Sequence, residues 1–281
     1  YKPLSGQRRY SPYASSITST YYKRLPMKTF GLTLSGGGVR ALAHGGMLKA
    51  LEEHNLRPMV ISGTSGGALV GALYASGKTP EKIIDFFKET PLFKLSMLSL
   101  PRMGLINSNK YPALFQKHLS CNTFEELSIP LYIAATNLLN GKAIYFSKGD
   151  LISPMVASSA LPPYFSPIKI GGAIYCDGGL LNNFPIEPLK GKCDILIGSF
   201  VNPLKEVNEK ELGNPIKFLQ RIYNVVMDGS YEKNFKKCDY VFLHELDNIG
   251  VLETKFIDKA FDYGYEKTLS HIALIKSLVE N

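Results

Sequence analysis

Ser65 stands at the centre of Gly63-Thr64-Ser65-Gly66-Gly67, a G-x-S-x-G pattern. That spacing suits a nucleophile elbow, in which a serine sits on a sharp strand-to-helix turn and its Oγ projects over the end of a sheet. The flanking glycines answer a steric need. A strained serine backbone brings the positions two residues away against the neighbouring strand and helix. A hydroxyl held at the positive end of a helix is placed to attack an acyl carbonyl and to carry the acyl group covalently. The pattern also occurs in ordinary Gly-rich loops. Its context favours the nucleophile: an apolar run from Met59 precedes it, and a small-residue helix over Ala68–Ala75, stopped by Gly77, follows.

Two further stretches carry chemistry. Ser35-Gly36-Gly37-Gly38-Val39-Arg40 follows an apolar strand, and Gly36-x-Gly38-x-x-Ala41 fits the dinucleotide fingerprint G-x-G-x-x-G/A. That fingerprint needs an acidic residue at the end of the next strand. Here Val60–Ile61 runs into Ser62 and Gly63, while Glu52 and Glu53 belong to the intervening helix, so a dinucleotide site loses its ribose contact. The triplet has another use: successive N–H groups at a helix start form an anion nest, which beside Ser65 would stabilise an oxyanion. The third stretch, Asp177-Gly178-Gly179, offers either a turn residue or a positioned carboxylate, and taken alone favours the turn. Among the five histidines, His44 shares a helix face with Arg40 and reads as a packed, hydrogen-bonded residue. His54, His118, His244 and His271 show no catalytic setting.

The elements that must position these groups begin with a strand over 29–34, a helix from about Ala41 to His54 and the strand before Ser65, a βαβ unit that implies a parallel sheet. Helices are predicted over Thr79–Glu89, Asn109–Leu119, Leu151–Ala160, Pro215–Lys236 and Ile257–Glu280. Strands are predicted over Leu131–Thr136, Lys142–Phe146, Ile168–Ile170, Ala173–Cys176, Ile195–Phe200 and Tyr240–His244, with hairpin turns at Asn140-Gly141 and Gly171-Gly172. Residues 1–28, rich in Tyr, Ser, Lys and Arg and free of acidic residues, read as an extended arm, leaving 29–281 as the folded unit. Pro91–Ile106 is apolar but interrupted by prolines and basic residues, which suits either core or a lipid-facing cap.

With 281 residues the chain can bury a large core, and no apolar run approaches a membrane span. The four cysteines are scattered, with no histidines at ligand spacing, which argues against a disulfide framework or a zinc site. A net charge of +8 steers anionic partners toward the chain or serves solubility alone.

Taken together, Ser35–Arg40, Gly63–Gly67 and Asp177–Gly179 resemble, in order and spacing, the patatin-like phospholipase family of lipid acyl hydrolases. Residues from Phe30 to about Phe200 carry the resemblance, including Ala157-Ser158-Ser159-Ala160-Leu161-Pro162 and Asn183-Phe184-Pro185. In one departure, Ala41 stands where the family often has glycine, and its methyl group tightens the helix packing. The resemblance implies an α/β fold with a mostly parallel central sheet flanked by helices on both faces. It implies Ser65 as nucleophile with Asp177 as its base, a dyad rather than a triad. Gly36, Gly37 and Gly38 would frame the oxyanion hole, the Gly66 N–H would be a further donor, and Arg40 would orient the loop or add positive charge. No metal or other cofactor is implied. The expected substrate is a phospholipid or lysophospholipid, met at an anionic membrane surface, with no role for nucleic acid. The alternatives are an acyltransferase or thioesterase acting on acyl-CoA-type substrates, or a lipid-binding protein without turnover. Such a chain is expected in the cytoplasm with peripheral membrane contact. Because it begins at Tyr1, a lost signal peptide leaves secretion open. For the base, burial must raise an aspartate from its ordinary pKa near 4.

Overall fold

The computed structural model describes residues 27–90, 111–162, 164–213, 231–246 and 248–280, together with 218, 221, 222 and 224–226. The expected arm up to residue 26 and the 91–106 segment lie outside the described residues, as do 215–217, 219, 220, 223 and 227–230 of the expected 215–236 helix; of that helix, 218, 221, 222 and 224–226 are described as helical, as is the turn Glu232–Phe235.

The strands are β1 Phe30–Leu34, β2 Val60–Thr64, β3 Leu131–Asn137, β4 Lys142–Phe146, β5 Ile168–Ile170, β6 Ala173–Asp177, β7 Ile195–Phe200 and β8 Tyr240–Leu243. They form one sheet in the order β5-β6-β3-β2-β1-β7-β8, with β4 also on β3. The run β3-β2-β1-β7-β8 is parallel, and β4, β5 and β6 are antiparallel additions. The helices are α1 Leu42–Glu53, α2 Gly66–Ala75, α3 Pro80–Glu89, α4 Tyr111–His118, α5 Ile152–Ser158, α6 Ile257–Leu269 and α7 Ile272–Glu280. Among the described residues, no helix is long and apolar enough to cross a membrane.

Alternation along the strands divides the core between the two faces. Phe30, Leu32 and Leu34 of β1, Ile61 of β2, and Ile195 and Ile197 of β7 join the large core under α1, α2 and α6. Val60, Leu196 and Phe200 point the other way, into a smaller cluster with Phe184, Ile186, Leu189 and Tyr231. On that second face Ser62 and Thr64 also point outward. Their hydroxyls donate to the Pro185 carbonyl at 2.6 Å and the Asn182 carbonyl at 2.8 Å, tying the chain after β6 across β2.

Two elements depart from expectation. The helix after Ser65 starts at Gly66, two residues earlier than its composition predicts. Glycine's poor helix propensity is overridden because both positions are packed: a Cβ on Gly66 would lie 2.7 Å from that of Ala41 and 2.8 Å from the Gly38 carbonyl oxygen. The single helix expected over 257–280 is two. The Ser270 hydroxyl, at 2.8 Å, and His271 Nδ1, at 2.9 Å, both bond the Lys267 carbonyl, while the His271 N–H turns to Thr268. Side chains competing for backbone acceptors end α6 there although the apolar period runs on.

Candidate active site

The elbow is built by β2 and α2. Ser65 lies between them with φ 51° and ψ −125°, a left-handed conformation that costs a non-glycine residue on the order of 1–3 kcal/mol. Its neighbours leave it little alternative. A Cβ on Gly63 would stand 2.7 Å from the Gly67 carbonyl oxygen and 2.8 Å from the Ala68 Cα, so only glycine lets helix and strand meet that closely. The Ser65 N–H donates to the Ser158 hydroxyl at 2.8 Å, pinning the turn to the end of α5.

Asp177 reaches Ser65 through strand pairing. A strand has two edges, and β4 occupies one edge of β3 from Ile133 to Asn137. On the other edge β2 pairs up to Thr64 opposite Ala134, and β6 takes over with Asp177 opposite Ala135. Two strands therefore approach head to head along one edge of β3, one ending at Ser65 and the other at Asp177. The carboxyl is fully buried, and its pKa is pushed up to about 7, chiefly by burial. The Ser65 hydroxyl beside it and the Gly179 N–H, which donates to Oδ1 at 2.8 Å, pull the other way. Oδ2 is buried and, among the described residues, makes no close hydrogen bond, so the ionised form has lost much of its solvation. Asp177 is thus both a turn residue, through Oδ1, and a carboxyl held against Ser65.

The glycine loop closes the third side. Gly36 packs on the elbow, a Cβ there falling 3.0 Å from that of Ser65. Its N–H is taken by Asn183 Oδ1 at 3.0 Å, so Gly36 frames the loop and is not a free donor. Its carbonyl accepts from Asn202 Nδ2 at 2.6 Å. Carbonyl and N–H of a trans peptide point in opposite directions, so holding the Gly36 carbonyl aims the Gly37 N–H away from Asn202. Among the described residues, the N–H groups of Gly37, Gly38 and Gly66 have no hydrogen-bond acceptor. Arg40 is buried and braces this arrangement, donating from Nη1 to Asn202 Oδ1 at 3.0 Å and from Nε to the Ile249 carbonyl at 2.6 Å. Ala41 is buried against Gly66, where its methyl tightens the contact between loop and elbow.

His44 is a packed helix residue: Nε2 lies 2.9 Å from the Ser35 carbonyl and Nδ1 2.8 Å from Ser199 Oγ, so neither nitrogen faces Ser65 or Asp177. Burial lowers its pKa to about 4, so the ring is neutral. Sequence reasoning did not single out Asn183, Asn202 or Ser158 as supports of the site. Asn183 and Ser158 lie in stretches that carry the family resemblance, whereas Asn202, just past β7, had no local signal.

Comparison with known proteins identifies the family. Residues 32–190 match the family model described as patatin-like phospholipase, more than half of the chain. An uncharacterized NTE family protein of Mycobacterium tuberculosis is 31% identical over 174 residues, covering 61% of this chain and 48% of that protein. Lysophospholipase nte1 of Aspergillus fumigatus is 26% identical over 212 residues, covering 72% of this chain and 14% of that protein. The chain therefore spans about half the length of the mycobacterial relative and a small part of the fungal one. The crystal structure of VipD from Legionella pneumophila shares the fold, with a TM-score of 0.57 at 13% identity over 89% of this chain and 67% of that one. An α/β fold built around a strand–elbow–helix and a family match across the whole glycine-loop-to-Asp177 region place this chain in the patatin-like phospholipase family.

Proposed function

We propose that this chain hydrolyses ester bonds of phospholipids or lysophospholipids through an acyl-serine on Ser65, with Asp177 as the general base. The observation that carries the proposal is a buried carboxyl, pKa about 7, beside a serine held in a left-handed elbow. A base of that strength is half ionised near neutrality, where proton transfer from a hydroxyl is best matched. As Ser65 Oγ bonds to the ester carbonyl carbon, its proton passes to Asp177 and the carbonyl oxygen becomes an oxyanion. The N–H groups of Gly37, Gly38 and Gly66 receive that oxyanion. Collapse breaks the ester C–O bond, and the departing alcohol takes the proton from Asp177. Water, deprotonated by the same carboxylate, then attacks the acyl-serine and releases the fatty acid, leaving Ser65 protonated.

The membrane is the source of substrate in this proposal. Leu138 and Leu139, 48% and 64% exposed, cap the β3–β4 hairpin at the sheet end where β2 runs into Ser65, and Leu181, 48% exposed, follows Asp177 closely in the chain. Exposed apolar residues around a site entrance suit peripheral contact with a bilayer. Labelling with a fluorophosphonate probe, mapped by mass spectrometry, should modify Ser65. A mixed lipid panel with product detection should yield free fatty acid. Labelling elsewhere, or none, would refute the acyl-serine; acyl transfer to an acceptor other than water would identify an acyltransferase.

A further inference from the structure

A second buried polar chain runs beneath the glycine loop. The Ser35 carbonyl accepts only, so the hydrogen between it and His44 belongs to His44 Nε2. His44 Nδ1 is then a lone pair and receives the Ser199 hydroxyl hydrogen at 2.8 Å. Ser199 Oγ in turn accepts from His244 Nε2 at 2.9 Å. All three side chains are fully buried, and His244 Nδ1 is left without a partner among the described residues. Every hydrogen in this relay points toward Ser35. Ser35 is held by its other atoms as well: its N–H donates to the Ser199 carbonyl at 3.0 Å and its Oγ accepts the Val201 N–H at 3.0 Å.

The Ser35 carbonyl belongs to the peptide unit whose N–H is that of Gly36. His44 grips one side of this plane and Asn183 Oδ1 the other. A glycine-rich loop has little intrinsic resistance to rotation of a peptide plane, because glycine populates both signs of φ. Rotation here would carry the next units with it and turn the Gly37 and Gly38 N–H groups away from Ser65.

We infer that His244, Ser199 and His44 form a positioning relay that locks the Ser35–Gly36 peptide and thereby aims the N–H groups that receive the oxyanion. The inference rests on the acyl-serine proposal and extends it to three residues that touch neither substrate nor dyad. Both rings stay neutral, because burial lowers His44 to about 4 and His244 well below the ordinary histidine value. The relay therefore keeps one hydrogen-bond polarity across the neutral range.

The test compares His44→Leu, His44→Gln and Ser65→Ala on a short water-soluble ester, with folding checked by circular dichroism and thermal melting. His44→Gln keeps an N–H near the Nε2 position. The relay predicts that His44→Leu lowers kcat by about 10- to 100-fold with KM nearly unchanged, below the 10²–10³ of a deleted oxyanion donor. His44→Gln should stay within about threefold of the parent. A packing role alone would lower the melting temperature without this split between kcat and KM. An unchanged kcat in folded His44→Leu, with Ser65→Ala inactive, overturns the relay and leaves the acyl-serine standing. Equal losses in the Leu and Gln variants overturn it too. Activity surviving Ser65→Ala instead overturns the mechanism beneath, and the relay's role with it. Should His44→Leu fail to fold, nitrogen-15 spectra of the parent chain decide: the relay requires the His44 proton on Nε2 at neutral pH, and a proton on Nδ1 refutes it.

Discussion

Asp177 and His44 are both fully buried, one beside Ser65 and the other bonded to the Ser35 carbonyl, yet burial drives their titrations in opposite directions. The carboxyl rises to about 7 and the imidazole falls to about 4. Both shifts favour the neutral form, which is what a low-dielectric interior does to any ionisable group. The consequences diverge because the starting values differ. Raising an acid from near 4 brings it to neutrality, whereas lowering a base from near 6.5 takes it away from neutrality. In the mechanism and relay proposed above, the same physical force makes one group a switchable base and the other a fixed strut.

The sharpest way to break this contrast is to remove the base. Ser65→Ala and Asp177→Asn should each lower kcat by about 10⁴-fold or more, and the double variant should be little worse than either single one, as expected for groups acting as a unit. His44→Gln should leave most activity intact. Ester turnover by purified Ser65→Ala at a tenth of the parental rate would end the proposal.

Next in size is the pH profile. If Asp177 must be ionised, kcat/KM should fall about tenfold per pH unit below about 7, with no second ionisation from His44 until near pH 4. A profile flat from pH 5 to 8 would place the working base elsewhere.

Stability should run against activity. Asp177 titrates near 3.8 when unfolded and about 7 when folded, so its contribution is fully present below 3.8 and is lost as pH rises through 7, a change on the order of 4 kcal/mol. His44, at 6.5 unfolded and about 4 folded, contributes fully above 6.5 and loses that contribution as pH falls toward 4. Between pH 4 and 6.5 the two slopes oppose and mask each other in the parent chain. Denaturant unfolding of parent and Asp177→Asn across pH 4–8 separates them: the parent-minus-variant difference should fall with rising pH up to about 7 and then level off. A constant difference would mean that Asp177 titrates as an ordinary carboxylate.

How much of this could be read from sequence follows from the range of the interactions. The strands β1, β2, β3 and β7 were legible because each is a short buried run, and the elbow because its steric demands fall on residues two positions from Ser65. Asp177 was ambiguous by itself: its place depends on β6 succeeding β2 along one edge of β3, through pairings of Asp177 with Ala135 and of Thr64 with Ala134 that no local pattern encodes. The relay was hidden for the same reason, since Ser199 lies 155 positions from His44 and 45 from His244. The break at Ser270–His271 escaped because apolar periodicity continues across it while hydrogen-bond competition does not follow that period.

The smallest expected effect concerns the rim, where the contrast is between a dry interior and an exposed apolar edge. Leu138 and Leu139 lie in a four-residue connection, 138–141, between the paired Asn137 and Lys142, rather than flanking the two-residue turn expected at Asn140-Gly141. The Gly141 N–H closes it on the Asn137 carbonyl at 2.9 Å with Gly141 at φ 65°, so the closure uses no leucine side chain. Replacing both with Ser should therefore leave the melting temperature within a degree or two and leave kcat/KM on a short soluble ester unchanged. On anionic vesicles the same variant should lose about three- to tenfold in apparent affinity, because transferring a leucine into a bilayer gains on the order of 1 kcal/mol when only part of the side chain is buried. Equal rates on both substrates would mean that the bilayer meets this chain somewhere other than the β3–β4 hairpin.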